Sequence, residues 1–144
     1  MKVTGSHLVP LDRARVYSML QDPEVLAACM PGCEKLEKSG EDSYTMKMKM
    51  ALAAISGQFD GKVSITDQNP PGSFRLLVEG TSKIGFMKGG GLLTLTTEGD
   101  ATCVAYEGDV QVGGTLAAVG QRLIDATSKM MIKRFFEKLI AVQP

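Results

Sequence analysis

Tryptophan is absent from this chain, histidine occurs once, and aromatic residues make up only 6% of it. The single histidine, His7, has no cysteine or carboxylate cluster at ligand spacing and no neighbour in sequence to orient it as a base. A structural or solvent role is expected for it, and no catalytic residue and no metal ligand is assigned. Cysteine is scarce too. Three cysteines are an odd number without metal-knuckle spacing, which argues against a disulfide framework and a zinc site. Cys29, Cys33 and Cys103 are expected as inert, packed thiols. Neither sign of charge is in excess: 16 Lys and Arg stand against 16 Asp and Glu. There is no global field to hold a polyanion, so no nucleic-acid partner is expected. No run approaches the roughly eighteen apolar residues that span a bilayer, and the N-terminal stretch carries Lys2, His7 and Asp12, unlike a leader. A soluble, cytoplasmic protein is expected. The Gly89-Gly90-Gly91 run joins no strand to a helix as a phosphate-binding loop must, and reads as a flexible hairpin or bulge.

What the chain does have is glycine, methionine and a clear order of patterns. Its 144 residues suit one domain, 1–144, able to bury about 70% of its unfolded surface. Lys2 to Val9 reads as a first strand stopped by Pro10. Leu11 to Leu20 has helical spacing with Pro10 in the first turn. Asp22-Pro23-Glu24 restarts a second helix, with Asp22 as N-cap, and Met30-Pro31-Gly32 ends it. Hairpins follow. Cys33 to Glu37 is a brief strand. Tyr44, Met46, Met48, Met50 and Leu52 then alternate with Thr45, Lys47, Lys49 and Ala51. Phe59, Gly61, Val63 and Ile65 form the next apolar face, and Asn69-Pro70-Pro71-Gly72 breaks the chain. Phe74, Leu76 and Val78 follow, then strands over Leu92 to Thr97 and Thr102 to Val112 joined at Gly99. From Gly113-Gly114-Thr115 to Ala141 no proline intervenes, and Leu116, Val119, Leu123, Ala126, Met130 and Met131 share one stripe of a single long helix. After Met131 the apolar residues change sides: Ile132, Phe135, Phe136 and Leu139 project about 150° away.

This is an α+β order: a strand, two short helices, about six antiparallel strands, and one long C-terminal helix. A strongly curved antiparallel sheet of about seven strands wrapped around that helix encloses space lined by Met, Phe, Val and Leu. The expected lining on the strands is Met46, Met48, Met50, Phe59, Val63, Phe74, Leu76, Val104 and Tyr106. On the helix it is Leu116, Val119, Leu123 and Met130. The methionine stripe admits two readings, plain core filling and an adaptable wall. Thioether chains repack around a long, floppy apolar ligand with little strain, whereas a small polar substrate needs convergent donors that the stripe lacks. The ligand class so indicated is a lipid or quinone, with no covalent cofactor.

The wording of several blocks is similar to a known family. Asp22-Pro23-Glu24-Val25-Leu26-Ala27-Ala28-Cys29-Met30-Pro31-Gly32-Cys33-Glu34, Gly57-Gln58-Phe59-Asp60-Gly61-Lys62-Val63, Asn69-Pro70-Pro71 and Gly113-Gly114-Thr115-Leu116-Ala117-Ala118-Val119-Gly120-Gln121-Arg122-Leu123-Ile124 resemble the CoxG family of carbon monoxide dehydrogenase subunits. The order of elements likewise resembles the helix-grip, START-like proteins. The resemblance implies a non-catalytic accessory protein of a molybdenum hydroxylase of the carbon monoxide dehydrogenase type, one that ties that enzyme to the membrane and its quinone pool. START-like relatives admit ligands between hairpin loops and the last helix, which makes 52–57 and 83–91 candidate gates, with Ile55, Phe86 and Met87 at the mouth. Longer relatives carry a linker and an apolar anchor after the last helix, whereas the sequence here runs to Pro144.

Two rival functions stand beside this one. START-like folds include polyketide cyclases, and Tyr106 and Glu107 are the nearest candidates for polar catalytic groups. Alternation places those two on opposite faces, which weighs against the enzyme. A pure adaptor with a filled core is the other. The basic end of the helix, Lys129, Lys133 and Lys138 beside Phe135 and Phe136, admits packing on the short helices, a partner-protein surface, or peripheral contact with the inner face of the membrane.

Overall fold

The computed structural model describes residues 1–52 and 55–141, without the side chains of residues 52 and 55. Strand β1 (Lys2–Val9) leads to helices α1 (Arg13–Gln21) and α2 (Pro23–Cys29). Six strands follow: β2 (Cys33–Gly40), β3 (Ser43–Leu52), β4 (Ile55–Asn69), β5 (Ser73–Ser82), β6 (Gly85–Glu98) and β7 (Ala101–Gly113). A 3-10 turn (Gly114–Val119) and helix α3 (Gln121–Ala141) complete the described chain. All seven strands form one antiparallel sheet in the order β1-β7-β6-β5-β4-β3-β2. The expected α+β architecture is observed.

Local chemistry explains the helix starts. Asp22 caps α2 by accepting from the Glu24 amide at 2.9 Å, and Pro23 occupies the first position without losing a needed donor. Helix α1 begins two residues later than expected. Asp12, not Pro10, sets its start, accepting from the Arg15 amide at 3.2 Å.

Two further differences matter for the site. Strand β6 starts at Gly85 rather than Leu92, so Gly89-Gly90-Gly91 lies within a strand, paired with Val78, Leu77 and Leu76 on β5 and with Val110, Asp109 and Gly108 on β7. Glycine leaves no alternation to read, and ladder pairing on both sides holds the run extended. The C-terminal segment is not one helix. It breaks at Gly120, whose φ of +96° is a left-handed conformation that only glycine adopts readily. The helical phase restarts there, so α3 buries Ile124, Phe136 and Leu139 rather than the Leu123 stripe, and Ala126 is exposed.

The packed core fills one end of the curved sheet. Val9, Val16, Tyr17, Leu20, Cys29, Phe74, Leu95, Val104, Phe136 and Leu139 form it, between the sheet, α1, α2 and the C-terminal half of α3. Phe74, Val104 and Leu139 expose no more than 2%. Thr102 is buried with them and its Oγ1 donates to the Leu11 carbonyl at 2.8 Å, so this buried hydroxyl has its partner.

Candidate functional site

The strand register defines the inner face of the sheet. It carries Tyr44, Met46, Met48 and Met50 on β3, opposite Val63, Gly61, Phe59 and Gly57 on β4. Leu76, Val78 and Gly80 continue it on β5, and Met87, Gly89, Gly91 and Leu93 on β6. Tyr106, Gly108, Val110 and Val112 follow on β7, and Val3, Gly5 and His7 on β1. Among the described residues, no Asp or Glu stands on this face of these strands.

Across its middle runs a belt of inward-facing glycines: Gly61, Gly80, Gly89, Gly91, Gly108 and Gly5. A glycine at these places sends no side chain towards α3, and two of them shape the sheet. A Cβ on Gly91 would lie 2.7 Å from the Glu107 carbonyl oxygen and 3.0 Å from the Gly108 Cα. One on Gly108 would overlap the Gly90 carbonyl oxygen. The β6 and β7 backbones approach too closely there for any side chain, as a sharply coiled sheet requires. Gly80 is the opposite case, with only Phe59 Cδ2 within reach of a Cβ, at 4.0 Å.

Above the belt lies a second apolar cluster, in which Phe59 and Leu116 are buried and Met48, Met50, Ile84, Met87, Val112 and Val119 pack around them half-buried. The 3-10 turn is held here by the Leu116 amide, which donates to the Ile84 carbonyl at 2.6 Å. An open cleft of about 460 Å3 adjoins this cluster, lined by Met1, Phe86, Val110, Gln111, Val112, Ala117, Gln121 and Ile124. A second cleft of about 350 Å3 continues it past Lys2, Arg122 and Asp125. Both fall near the small end of the roughly 300–1,000 Å3 typical of ligand sites.

The expected lining residues divide into four groups. Phe74 and Val104 lie deep in the packed core and Leu76 packs on it, so these three underlie the site rather than line it. Met46, at 4% exposure, folds over Gly61 on the neighbouring strand, and Val63 is likewise buried. Met48, Met50, Phe59, Leu116 and Val119 gather in the upper cluster, while Tyr106, Leu123 and Met130 are half-buried. None of the thirteen borders the large cleft. Of the mouth residues, Phe86 lines it, Met87 packs in the upper cluster, and Ile55 lies outside the described side chains. Val110, Val112 and Ile124 were missed. The first two follow from continuing the β7 alternation past Tyr106, whereas Ile124 is invisible until the helical phase is reset at Gly120.

The basic helix end is also rearranged. Phe136 is 4% exposed within the core, edge-on to Phe135 at 5.4 Å, and therefore cannot anchor a membrane or a partner. Phe135 packs against the same core, while Lys129, Lys133 and Lys138 keep access to solvent, Lys129 pairing with Asp125 at 3.2 Å. The change of side after Met131 is the helix turning its aromatics onto the core.

His7 takes part in this packing. Its ring stacks on Phe136 with centroids 4.5 Å apart and lies 6.1 Å from Tyr106, nearly parallel to both. Burial pushes the imidazole below its usual value, opposed by the Glu137 carboxylate, and pushes the Tyr106 phenol up, opposed by Lys129. Glu107 is exposed on the outer face. Burial raises the thiols of Cys29 and Cys33, which disfavours the reactive thiolate. Among the described residues, no three His, Cys, Asp or Glu gather as metal ligands, and no helix is long and apolar enough to cross a membrane.

A single curved sheet gripping a C-terminal helix, with an apolar face left open above the core, defines the helix-grip, START-like class. The solved structures agree. A conserved protein from Geobacillus kaustophilus is 34% identical, with a TM-score of 0.94 over 98% of this chain and 93% of that one. Protein CV1439 from Chromobacterium violaceum, 15% identical, superposes with a TM-score of 0.73 over 98% and 95%. Ara h 8.0201, 10% identical, gives 0.73 over the same shares. No curated protein matches the chain. Residues 5–142 match the family described as the CoxG subunit of carbon monoxide dehydrogenase, and the chain belongs to that family.

Proposed function

We propose that this chain is a non-catalytic binding protein that takes a quinone- or lipid-like molecule between its sheet and α3, in the service of a molybdenum hydroxylase of the carbon monoxide dehydrogenase type. One observation carries the binding half. On the inner face, Met48, Met50, Val78, Met87, Tyr106, Val110 and Val112 are apolar or aromatic yet keep solvent access, while the residues beneath are fully packed. Apolar surface turned inward and left wet gains by burial, at about 25 cal/mol per Å2. Methionines at the rim suit a flexible chain better than a rigid one. Family membership supports the accessory role, since the family is described as a subunit of that dehydrogenase. A cyclase-like enzyme is less well supported, because Glu137 on α3, the carboxylate that His7 feels, is exposed and makes no hydrogen bond to it, so no carboxylate among the described residues orients a base there.

Native mass spectrometry of freshly purified protein tests the reading. A co-purifying apolar mass, displaced by an added long-chain quinone, is the expected result. Bare protein that also fails to take up added quinone overturns it.

A further inference from the structure

We infer that His7 and Tyr106 together receive the polar end of the bound molecule, and that this end is an uncharged oxygen acceptor such as a ketone or quinone carbonyl rather than a carboxylate. The inference deepens the proposed binding function and rests on it. The two residues come from neighbouring strands and stand on the inner face, with Gly5 facing Tyr106 and His7 facing Val104 across the ladder. Their rings lie nearly parallel, 6.1 Å apart, at the edge of the packed core, since His7 also stacks on Phe136. They are thus the polar step between a filled floor and the glycine belt. Tyr106 reaches across Gly5, where even a Cβ would meet the ring and its oxygen, so Gly5 is what allows the phenol its position.

Both groups have hydrogen-bonding capacity in hand. Among the described residues neither the imidazole nor the Tyr106 hydroxyl has a protein hydrogen-bond partner, whereas the Tyr17 hydroxyl donates to the Ser73 carbonyl at 3.2 Å. Both side chains retain solvent access. Burial favours the neutral imidazole and the neutral phenol, so the pair offers two uncharged donors. Uncharged donors in a partly apolar recess suit a carbonyl oxygen. Lys129 on α3, the cation that acts on Tyr106, is engaged with Asp125 at 3.2 Å, and the Glu137 carboxylate acts on His7, so a carboxylate placed there meets a cation already paired and a like charge, and must surrender its hydration. The apolar tail then runs along the glycine belt towards Met48, Met50 and Met87.

Displacement of the fluorescent apolar dye N-phenylnaphthylamine by methyl undecyl ketone and by tridecanoate, two probes of equal carbon count, decides the matter. The ketone is expected to displace the dye at lower concentration than the carboxylate. Tyr106→Phe and His7→Phe are each expected to weaken the ketone about three- to ten-fold relative to the dye, with the preference over tridecanoate reduced. Tyr106→Phe keeps the ring over Gly5 and removes one oxygen, so it decides alone if His7→Phe does not fold. Dye binding with ketone affinity unchanged in a folded Tyr106→Phe overturns this inference and leaves the binding function standing. Failure of the wild-type protein to bind dye, ketone and quinone alike overturns the binding function and this inference with it.

Discussion

Two substitutions of the same kind, Gly80→Val and Gly108→Val, separate the two tasks of the glycine belt. Both sites face inward from adjoining parts of the sheet and neither has a positive φ. At Gly80 a Cβ has only Phe59 Cδ2 for a neighbour, at 4.0 Å, an ordinary contact. The replacement removes unfolded-state freedom worth about 0.4–1 kcal/mol and sends an isopropyl group towards α3. The expected outcome is a rise in Tm of roughly 1–3 °C. A ligand forced to share that space meets an overpacking cost of about 1–3 kcal/mol, or roughly five- to 150-fold in affinity. At Gly108 a Cβ would lie 3.0 Å from the Gly91 Cα and overlap the Gly90 carbonyl oxygen, and backbone cannot rotate aside as a side chain can. A loss of about 1–3 kcal/mol or more follows, a fall in Tm of roughly 3–9 °C. Thermal unfolding by circular dichroism and titration with N-phenylnaphthylamine read both quantities. Equal destabilisation of the two variants refutes the open space at Gly80. A stable Gly80→Val with wild-type dye affinity refutes the belt as part of the binding space.

Met48→Lys places an ammonium among Phe59, Met50 and Leu116 and is expected to abolish dye and quinone binding in a folded protein, whereas Met48→Leu changes affinity little; titration of both checks this. Thr102→Val removes the donor to the Leu11 carbonyl at a fully buried site, and urea unfolding should show a loss of about 1–3 kcal/mol. His7 has a folded pKa below its unfolded value of about 6.5, so the unfolded chain binds the extra proton first. Stability should therefore fall as pH drops from 7 through 6.5 towards the folded pKa, and His7→Phe should flatten that slope in pH-dependent urea melts; an unchanged slope refutes the assignment.

The strands with alternating side chains were legible because each inward residue differs in kind from its neighbour. Met46, Met48 and Met50 announce both β3 and its inner face, and Asp22-Pro23 announces α2 through its cap. Where glycine replaces the side chain, that signal vanishes. The first half of β6 could not be read as strand because its assignment comes from ladder partners on β5 and β7. The α3 face was misread for a related reason: a positive φ at Gly120 resets the helical phase, and composition does not record it. The His7, Tyr106 and Phe136 stack joins β1, β7 and α3, so no local pattern contains it. The packed floor of Phe74 and Val104 was read as cavity wall because alternation tells inward from outward but not how far along the sheet the filling stops.

The close approach of Gly91 and Gly108 has a consequence for how such a protein can diversify. Curvature there is set by main chain against main chain, so the bend of the sheet does not depend on which side chains coat the interior. Residues such as Met48, Met87 or Val112 can be exchanged to recognise a different tail while the bend stays as it is. Shape and selectivity are written in different residues, and a binder of new specificity can be sought on this scaffold by varying the lining and leaving those two glycines alone.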